Sequence, residues 1–206
     1  MTLTKERAAL LVVDMQNGFL DDAGSMATIG LPVAELQRAI AGTNTMIVAA
    51  REAGVPVIYT RYVYMPDYSD GGIVPNLLVP AIKENNALAQ GSWDAEILAE
   101  LAPRPGDVII DKSRPSAFYG TQLEPVLTSL DIRNLVITGV TTNVCVETTA
   151  RDAGQRDYHV HVLSDATAEF EQGRHDHALG VIAFMFGWVN TVDDVLVAWD
   201  VTRTST

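Results

Sequence analysis

The sequence contains a single cysteine, Cys145, among its 206 residues. An internal disulfide needs two cysteines, so no disulfide can stabilise this chain, and nothing in it requires an oxidising compartment. A lone cysteine is most often a small buried apolar residue. Its place in the chain therefore decides whether Cys145 is a candidate nucleophile.

Basic residues are also few, because 14 lysines and arginines stand against 26 aspartates and glutamates, for a formal net charge of −12. This charge argues against sequence-independent binding to nucleic acid or to anionic membranes. The apolar runs are too short to span a membrane, and the first residues lack the apolar core and cleavage pattern of a signal peptide. We therefore expect a cytoplasmic protein.

Histidine is scarce as well, with four copies in two pairs. His159 and His161 alternate along one apolar run, and His175 and His177 lie at the start of a helical pattern. Neither pair has acidic or cysteine partners at the spacing of a typical ligand set. The sequence predicts no metal site.

Five short, strongly apolar runs predict the strands of the fold. Continuous apolar runs are typical of parallel strands that are buried on both faces. They alternate with helical patterns, which predicts an α/β fold of three αβα layers around a mostly parallel central sheet. The length suits a single domain over residues 1–206. The predicted strands are residues 8–13, 56–60, 108–111, 135–138 and 159–163.

Capping and breaking residues mark the helices. Pro32 and Gly54 mark the two ends of one helix, Thr121 begins a capping-box pattern, and Thr191 can cap the last helix. Residues 61–92 contain three prolines and no strong periodicity, so we expect a lid, a subunit contact or an ordinary loop there. The predicted helices are residues 32–54, 93–101, 121–130, 174–186 and 191–199, with another that starts near the cysteine and ends at Gly154.

The stretch 135–153 places Cys145 at the start of that helix. It consists of a buried strand, an abrupt Gly-Val-Thr-Thr turn and a helix whose first turn carries the cysteine. The free N–H groups and the helix dipole stabilise a thiolate at such a position, which predicts a lowered pKa for the thiol. The same N–H groups can bind an oxyanion that forms on a substrate carbonyl.

Two charged residues, Asp14 and Lys112, also follow predicted strands. Taken alone, Asp14 could be a cap and Lys112 a solvated side chain. Ligands of open α/β sheets bind beyond the carboxyl ends of the strands, where both residues would meet Cys145. An aspartate can accept the thiol proton, a lysine can stabilise the anion, and the thiolate can attack a carbonyl. This combination is what a cysteine hydrolase needs.

Three segments together resemble the isochorismatase-like cysteine hydrolases. They are Asp-Met-Gln-Asn-Gly-Phe after the first strand, Asp-Lys-Ser-Arg-Pro-Ser-Ala-Phe-Tyr-Gly-Thr after the third, and Gly-Val-Thr-Thr-Asn-Val-Cys-Val-Glu-Thr-Thr-Ala-Arg-Asp-Ala around the cysteine. The likeness extends over nearly the whole chain. It is strongest to the branch that contains ureidoacrylate amidohydrolase, biuret hydrolase and N-carbamoylsarcosine amidohydrolase. True isochorismatases replace the cysteine with a small residue, so Cys145 argues against their vinyl-ether chemistry.

The resemblance implies a role for individual residues. Asp14, Lys112 and Cys145 would form a catalytic triad, and the amides of Thr141 and Cys145 would bind the oxyanion next to a cis peptide between Val140 and Thr141. It also implies a dimer or a tetramer. Metal-dependent nicotinamidases of this fold carry Asp and His after the second strand, where this chain has Arg-Tyr-Val-Tyr-Met-Pro. We therefore expect neither a metal nor another cofactor.

Candidates for binding the substrate are mostly aromatic. The resemblance implies Phe19 and Val140, although Phe19 could equally be a core aromatic residue. Trp93 and Phe118 are further candidates, and together with Phe19 and Tyr119 they could form the aromatic walls that a ring amide would need. The resemblance to the carbamoylsarcosine enzyme also implies an arginine that anchors a substrate carboxylate, although an arginine is more often a surface or structural residue. The candidate arginines are Arg61, Arg114 and Arg174.

The main hypothesis is a metal-independent amidohydrolase that cleaves a C–N bond of a small amide or ureide through an acyl intermediate on Cys145, with release of ammonia. Two alternatives remain open. The same triad could open a ring amide such as a lactam or a nicotinamide-like compound, or the protein could be a non-catalytic binding or redox-sensing protein with a reactive thiol. Ammonia release from a panel of amides separates them.

Overall fold

The computed structural model describes residues 3–202, and its centre is a parallel sheet of six strands in the order β3-β2-β1-β4-β5-β6. Helices surround this sheet, so the predicted α/β class is confirmed. The strands are β1 (Ala8–Val13), β2 (Val57–Tyr62), β3 (Val108–Lys112), β4 (Asn134–Val140), β5 (His159–Ala168) and β6 (Trp188–Asn190).

The central strands are apolar because both of their faces are covered. Every residue of β1 and of β4 is buried. The strand β5 runs five residues past its predicted end, through polar residues, because it pairs with β4 again after an irregularity in the register. The strand β6 was not predicted, since three residues are too few to show a period.

Nine α-helical segments lie within residues 3–202, several of them one turn long. They are α1 (Asn17–Leu20), α2 (Ser25–Thr28), α3 (Val33–Gln37), α4 (Ala39–Glu52), α5 (Ala81–Glu84), α6 (Leu123–Ser129), α7 (Glu147–Gly154), α8 (Gln172–Val181) and α9 (Val192–Trp199). Turns of π-helix lie at Val74–Leu78, Thr142–Val146 and Ile182–Phe186, and 3-10 turns at Trp93–Ala95 and Ala99–Leu101. None of the helices in this part of the chain has the length and apolar character to cross a membrane.

Several helix predictions need correction. The pattern 32–54 is divided at Arg38 into α3 and α4, although it ends at Gly54 with the expected positive φ of 70°. Residues 93–101 form two 3-10 turns instead of one helix, because their backbone bonds to the loop after β1: Asn17 N–H donates to Glu96 O, and Leu98 N–H donates to Met15 O.

Capping was predicted correctly at one helix and wrongly at another. Thr191 caps α9 in a capping box with Asp194. Thr121 forms no such box, since its hydroxyl accepts from Leu123 N–H and donates to the carbonyl of Ala117 while Gln122 stands at the N-cap. The helix predicted over 174–186 begins earlier, and its last turn is π-helical.

Gly139 near the end of β4 lets this strand approach β1 closely. Its φ is +111°, and a side chain there would overlap the backbone of Val13. Only glycine meets both conditions without strain. The close approach brings the segment after β1 next to the turn after β4.

Candidate active site

The structure brings the three predicted residues together. Asp14 directly follows β1, Lys112 is the last residue of β3, and Cys145 lies in the turn between β4 and α7. Lys112 Nζ is 2.7 Å from Asp14 Oδ2 and 3.4 Å from Cys145 Sγ. The exposed fractions of the three residues are 0%, 3% and 4%. They form a buried chain of contacts at the carboxyl edge of the sheet.

Sheet topology explains how the three residues meet. The strand order reverses between β1 and β4, and this switch point is where α/β sheets bind ligands. Asp14 and Cys145 both follow strands at the switch point. β3 lies two strands from β1, about 10 Å away. Lys112 spans this distance across β2, where its Nζ lies 4.2 Å from the centre of the Tyr62 ring.

The Asp14 carboxylate is held in one orientation. Its Oδ1 accepts a hydrogen bond of 2.6 Å from the Thr60 hydroxyl, and its Oδ2 faces Lys112. The backbone N–H of Asp14 donates to the carbonyl of Thr60 at 3.2 Å, and the residue has a φ of +53°. The end of β2 therefore fixes the aspartate that follows β1.

Lys112 is fully engaged as a donor. Besides Asp14 and Cys145, its Nζ reaches the carbonyl of Arg114 at 3.1 Å. An ammonium group has three N–H donors, so these three neighbours account for all of them. The cation lies between one carboxylate and one thiol.

Burial raises the pKa of the Cys145 thiol, Lys112 lowers it and Asp14 raises it, with a net shift well above the ordinary value. The predicted lowered pKa is therefore wrong. The prediction considered the helix start but could not include desolvation, which depends on the tertiary packing around the thiol. The resting residue is a neutral thiol beside a carboxylate.

The turn that carries Cys145 begins with a cis peptide bond between Val140 and Thr141, as the resemblance implied. The carbonyl of Thr141 accepts hydrogen bonds from the N–H groups of Val144 and Val146 at 3.3 and 3.1 Å. Val140 is fully buried and Thr141 is nearly so. The turn is π-helical over Thr142–Val146 and leads directly into α7.

The other predicted binding residues lie in different surroundings. Phe19 is buried in α1, just after the Asp14 segment, and Trp93 is half exposed while its carbonyl accepts from the Asn17 side chain at 2.8 Å. Phe118 is buried, and its ring lies 6.0 Å from the Tyr158 ring and 4.9 Å from the Arg156 guanidinium. The substrate contacts of these aromatic residues stay predictions.

A cavity of about 270 Å³ includes Lys112 in its lining, whereas Asp14 and Cys145 do not line it. It is lined mainly by residues that follow β2 and β3, including Tyr64, Gln90, Arg114 and Tyr119. Tyr64 lies between Tyr62 and Tyr68, with tilted rings whose centres are 5.1 and 5.3 Å apart, and burial raises the pKa of Tyr64 to about 12. The cavity walls therefore combine aromatic and polar groups, with Arg114 next to Lys112 and two acidic residues, Asp70 and Asp111, also in the lining.

Arg114 differs from the other two candidate arginines. Arg61 and Arg174 are paired with Asp111 and Glu171 at 2.7 and 2.9 Å. The Nη1 of Arg114 donates instead to the backbone carbonyls of Asp70 and Ser113. Within residues 3–202 no carboxylate lies within ion-pair distance of its guanidinium.

Sequence reasoning missed Gln16 as a residue that organises the site. Its side-chain amide donates to the carbonyls of Tyr62 and Ala95 at 3.0 and 2.9 Å, and its Oε1 accepts from Tyr62 N–H at 2.6 Å. This buried amide joins the ends of β1 and β2. The only signal was its place in the segment Asp-Met-Gln-Asn. No group of three or more His, Cys, Asp and Glu in the described residues is arranged to hold a metal ion.

Comparison with known families adds to this description of the sheet and the cluster at its switch point. The isochorismatase domain model matches residues 8–194, which include Asp14, Lys112 and Cys145. The chain belongs to the isochorismatase domain family. The resemblance that the sequence motifs suggested is confirmed.

Individual relatives cover most of the chain. The ureidoacrylate amidohydrolase RutB of Pseudomonas syringae pv. syringae (strain B728a) is 41% identical over 201 residues, which are 90% of this chain and 81% of the relative. A cysteine hydrolase from Pseudomonas syringae pv. phaseolicola 1448A superposes with a TM-score of 0.85 at 34% identity, over 97% of this chain and 95% of that one. For N-carbamoylsarcosine amidase from Thermoplasma acidophilum the TM-score is 0.73 and the identity 28%, over 90% and 96%.

Proposed function

We propose that this protein is an amidohydrolase that cleaves the C–N bond of a small amide or ureide through a covalent intermediate on Cys145. The observation that carries the proposal is the buried contact chain Asp14–Lys112–Cys145 in a member of the isochorismatase family. The relatives named ureidoacrylate amidohydrolase and N-carbamoylsarcosine amidase support the reaction class. The chemistry needs no metal and no cofactor.

In the first half of the reaction, Asp14 accepts the thiol proton and Cys145 attacks the substrate carbonyl. The N–H groups of Thr141 and Cys145 stabilise the oxyanion, and an interaction of this kind typically contributes about 3 kcal/mol. As the C–N bond breaks, Asp14 donates its proton to the departing ammonia. A C–S bond has formed, and the acyl or carbamoyl group is held as a thioester-type intermediate.

In the second half, Asp14 takes a proton from a water molecule that attacks the same carbonyl. The C–S bond breaks, the acid product leaves, and the thiol recovers its proton. Lys112 stays cationic throughout and balances whichever of Asp14 and Cys145 carries the negative charge. Burial raises the pKa of the thiol, which favours a neutral thiol in the resting enzyme, and Asp14 accepts the proton as the sulfur attacks the carbonyl.

The substrate in this proposal is a ureide or amide that carries a carboxylate. Arg114 supports this class, because it lines the cavity next to Lys112 and lacks a carboxylate partner among the described residues. A guanidinium binds a carboxylate with two parallel hydrogen bonds, and its Nη1 is already fixed by backbone carbonyls. The name of the RutB relative makes ureidoacrylate the first compound to test.

We further propose that the chain acts as a single domain in the cytoplasm and assembles into a homodimer or a homotetramer. The support for assembly is an exposed apolar pair on the turn after α8, where Phe184 is 83% exposed and Met185 is 70% exposed. Exposed apolar side chains that are adjacent in this way often mark a protein contact.

The reaction class is tested by measuring ammonia release from ureidoacrylate, biuret, N-carbamoyl amino acids and nicotinamide. We expect wild type to release ammonia from at least one carboxylate-bearing ureide, and Cys145→Ser to release none while its circular dichroism is unchanged. Release from nicotinamide alone would favour the ring-amide alternative. Release from no compound, with a thiol that is still readily alkylated, would favour a non-catalytic thiol protein.

A further inference from the structure

The turn that carries Cys145 is anchored by two buried side chains outside the cluster. The hydroxyl of Thr142 lies 2.9 Å from His175 Nδ1, and the backbone N–H of Asn143 donates to Glu169 Oε2 at 3.1 Å. His175 belongs to α8, and Glu169 follows β5. Thus both residues that begin the turn are tied to the opposite side of the switch point from Lys112.

We propose that His175 and Glu169 are positioning residues, which hold the start of the turn so that the Cys145 thiol lies at the correct distance from Lys112 and Asp14. This inference rests on the proposed role of Cys145 as the nucleophile. It assigns a function in the reaction to two residues that touch neither the cluster nor the cavity beside Lys112.

Glu169 is a buried carboxylate without a counter-ion, an arrangement that is costly in free energy. It is 5% exposed, and no cation of the described residues lies within ion-pair distance of it. Its two oxygens accept from the backbone N–H groups of Asn143 and Phe170, the latter at 2.9 Å. The charge therefore strengthens the hydrogen bond to the turn that carries Cys145, hereafter the nucleophile turn, and its second partner is the N–H group of the next residue in the chain.

The side chain of His175 forms the second hydrogen bond to the turn, through the hydroxyl of Thr142. With a neutral ring, Nδ1 can accept from the Thr142 hydroxyl, while the backbone of Ser164 lies against the ring on the β5 side. Burial lowers the pKa of His175, which favours the neutral ring. Thr142 is fully buried and His175 is 8% exposed, so their hydrogen bond lies in the interior of the protein.

Packing alone does not hold this side of the turn. A cavity of about 250 Å³ is lined by His175 and Glu169 together with Arg38, Thr167 and Gln172. Space next to the turn allows it to shift when a hydrogen bond is lost. Because Thr142 and Asn143 precede Cys145 by three and two residues, a shift there moves the thiol, and a displacement of about 1 Å can cost roughly 100-fold in rate.

The test compares matched variants by two readouts. Thr142→Val and His175→Leu should each lower kcat by roughly 10- to 100-fold, with KM changed by less than about threefold, because the substrate contacts are intact. Thr142→Ser, which keeps the hydroxyl, should retain most of the activity. The double variant should be no worse than either single one, since both remove the same tie. His177→Leu, an exposed residue on the same helix, is the control.

The second readout does not depend on hydrolysis. Alkylation of Cys145 by iodoacetamide should be several-fold faster in Thr142→Val, His175→Leu and Glu169→Gln than in wild type, Thr142→Ser or His177→Leu, because a loosened turn exposes the thiol. If no amide is hydrolysed by wild type, this pattern still supports the positioning role and the failure belongs to the proposed function. Unchanged alkylation and kcat, additive losses, or losses that match the unfolded fraction seen by circular dichroism would overturn the proposal.

Discussion

Lys112 lies between the Asp14 carboxylate and the Cys145 thiol, two groups that can each carry a negative charge. Because its one positive charge is buried with Asp14 and Cys145, the site is balanced when only one of the two is ionised. The ion pair with Asp14 at 2.7 Å makes the carboxylate the resting anion. When the substrate has bound, one proton moves the short distance from the Cys145 thiol to the Asp14 carboxylate, and the net charge of the site does not change.

Replacing the aspartate should separate turnover from thiol reactivity. In Asp14→Asn we expect hydrolysis to fall by about 100- to 10,000-fold, because the general base is lost. The carboxylate that raises the pKa of the Cys145 thiol is also lost, so Lys112 is left to stabilise the thiolate. Alkylation by iodoacetamide should therefore become faster at pH 7.

The measurement is the pH dependence of alkylation in wild type, Asp14→Asn and Asp131→Asn, in which an exposed carboxylate is changed as the control. Slower alkylation in Asp14→Asn than in wild type would contradict this assignment of charges. Substantial retained hydrolysis would contradict the role of Asp14 as the base.

Arg114 should decide whether the substrate needs a carboxylate. Loss of a charge-assisted, two-point contact costs about 1.5 to 3 kcal/mol, so Arg114→Met should lower kcat/KM for N-carbamoylglycine by roughly 10- to 100-fold. The neutral N-methylamide of the same compound should be hydrolysed equally well by both proteins. Arg174→Met is the control, because that arginine is exposed and paired with Glu171. Equal losses for both compounds would contradict a carboxylate contact.

Among the secondary-structure elements, the sequence predicted correctly those that depend on a local pattern of residues. The strand β1 is a continuous apolar run, β4 is mostly apolar and β3 begins with three apolar residues, and the residues that follow or end these strands were assigned to the site for that reason. The segment 93–101 was predicted wrongly, because its backbone groups bond to the loop after β1 and not to each other. The hydrogen bonds of the Gln16, Glu169 and His175 side chains also join segments that are far apart in sequence, so no local pattern reveals them.

The connection between α8 and the nucleophile turn should be sensitive to acid. Burial lowers the pKa of His175, so the unfolded chain binds a proton there more readily than the folded one. The stability that the neutral ring provides is present above about pH 6.5 and is lost as the pH falls through that value. The charged groups near the ring are Asp176 on α8, Arg38 before α4 and Glu169 after β5.

We therefore expect wild type to lose more unfolding free energy than His175→Asn between pH 7.5 and pH 5.5, by at most about 1.4 kcal/mol for each pH unit. Urea unfolding at the two pH values measures the difference, with His177→Asn as the control. The same acid sensitivity in wild type and His175→Asn would show that the ring titrates alike in the folded and unfolded chains.

At the scale of the whole molecule, the sheet order explains why one edge carries the chemistry. The switch point between β1 and β4 places Asp14 and Cys145 side by side, and Gly139 allows the two strands to approach closely there. The alternation of strands and helices was sufficient to predict this class of fold. The order of the strands and the shape of the cavity depend on contacts between residues that are far apart in sequence. The alternation of strands and helices does not reveal these contacts, so only the structure shows them.

The covalent intermediate on Cys145 is the central claim, and mass spectrometry of acid-quenched enzyme during turnover tests it most directly. With a hydrolysed ureide in excess, we predict that the peptide containing Cys145 gains the mass of the substrate less ammonia, and that the gain is absent from Cys145→Ser. Steady hydrolysis without any adduct on this peptide, together with an active Cys145→Ser variant, would contradict the account.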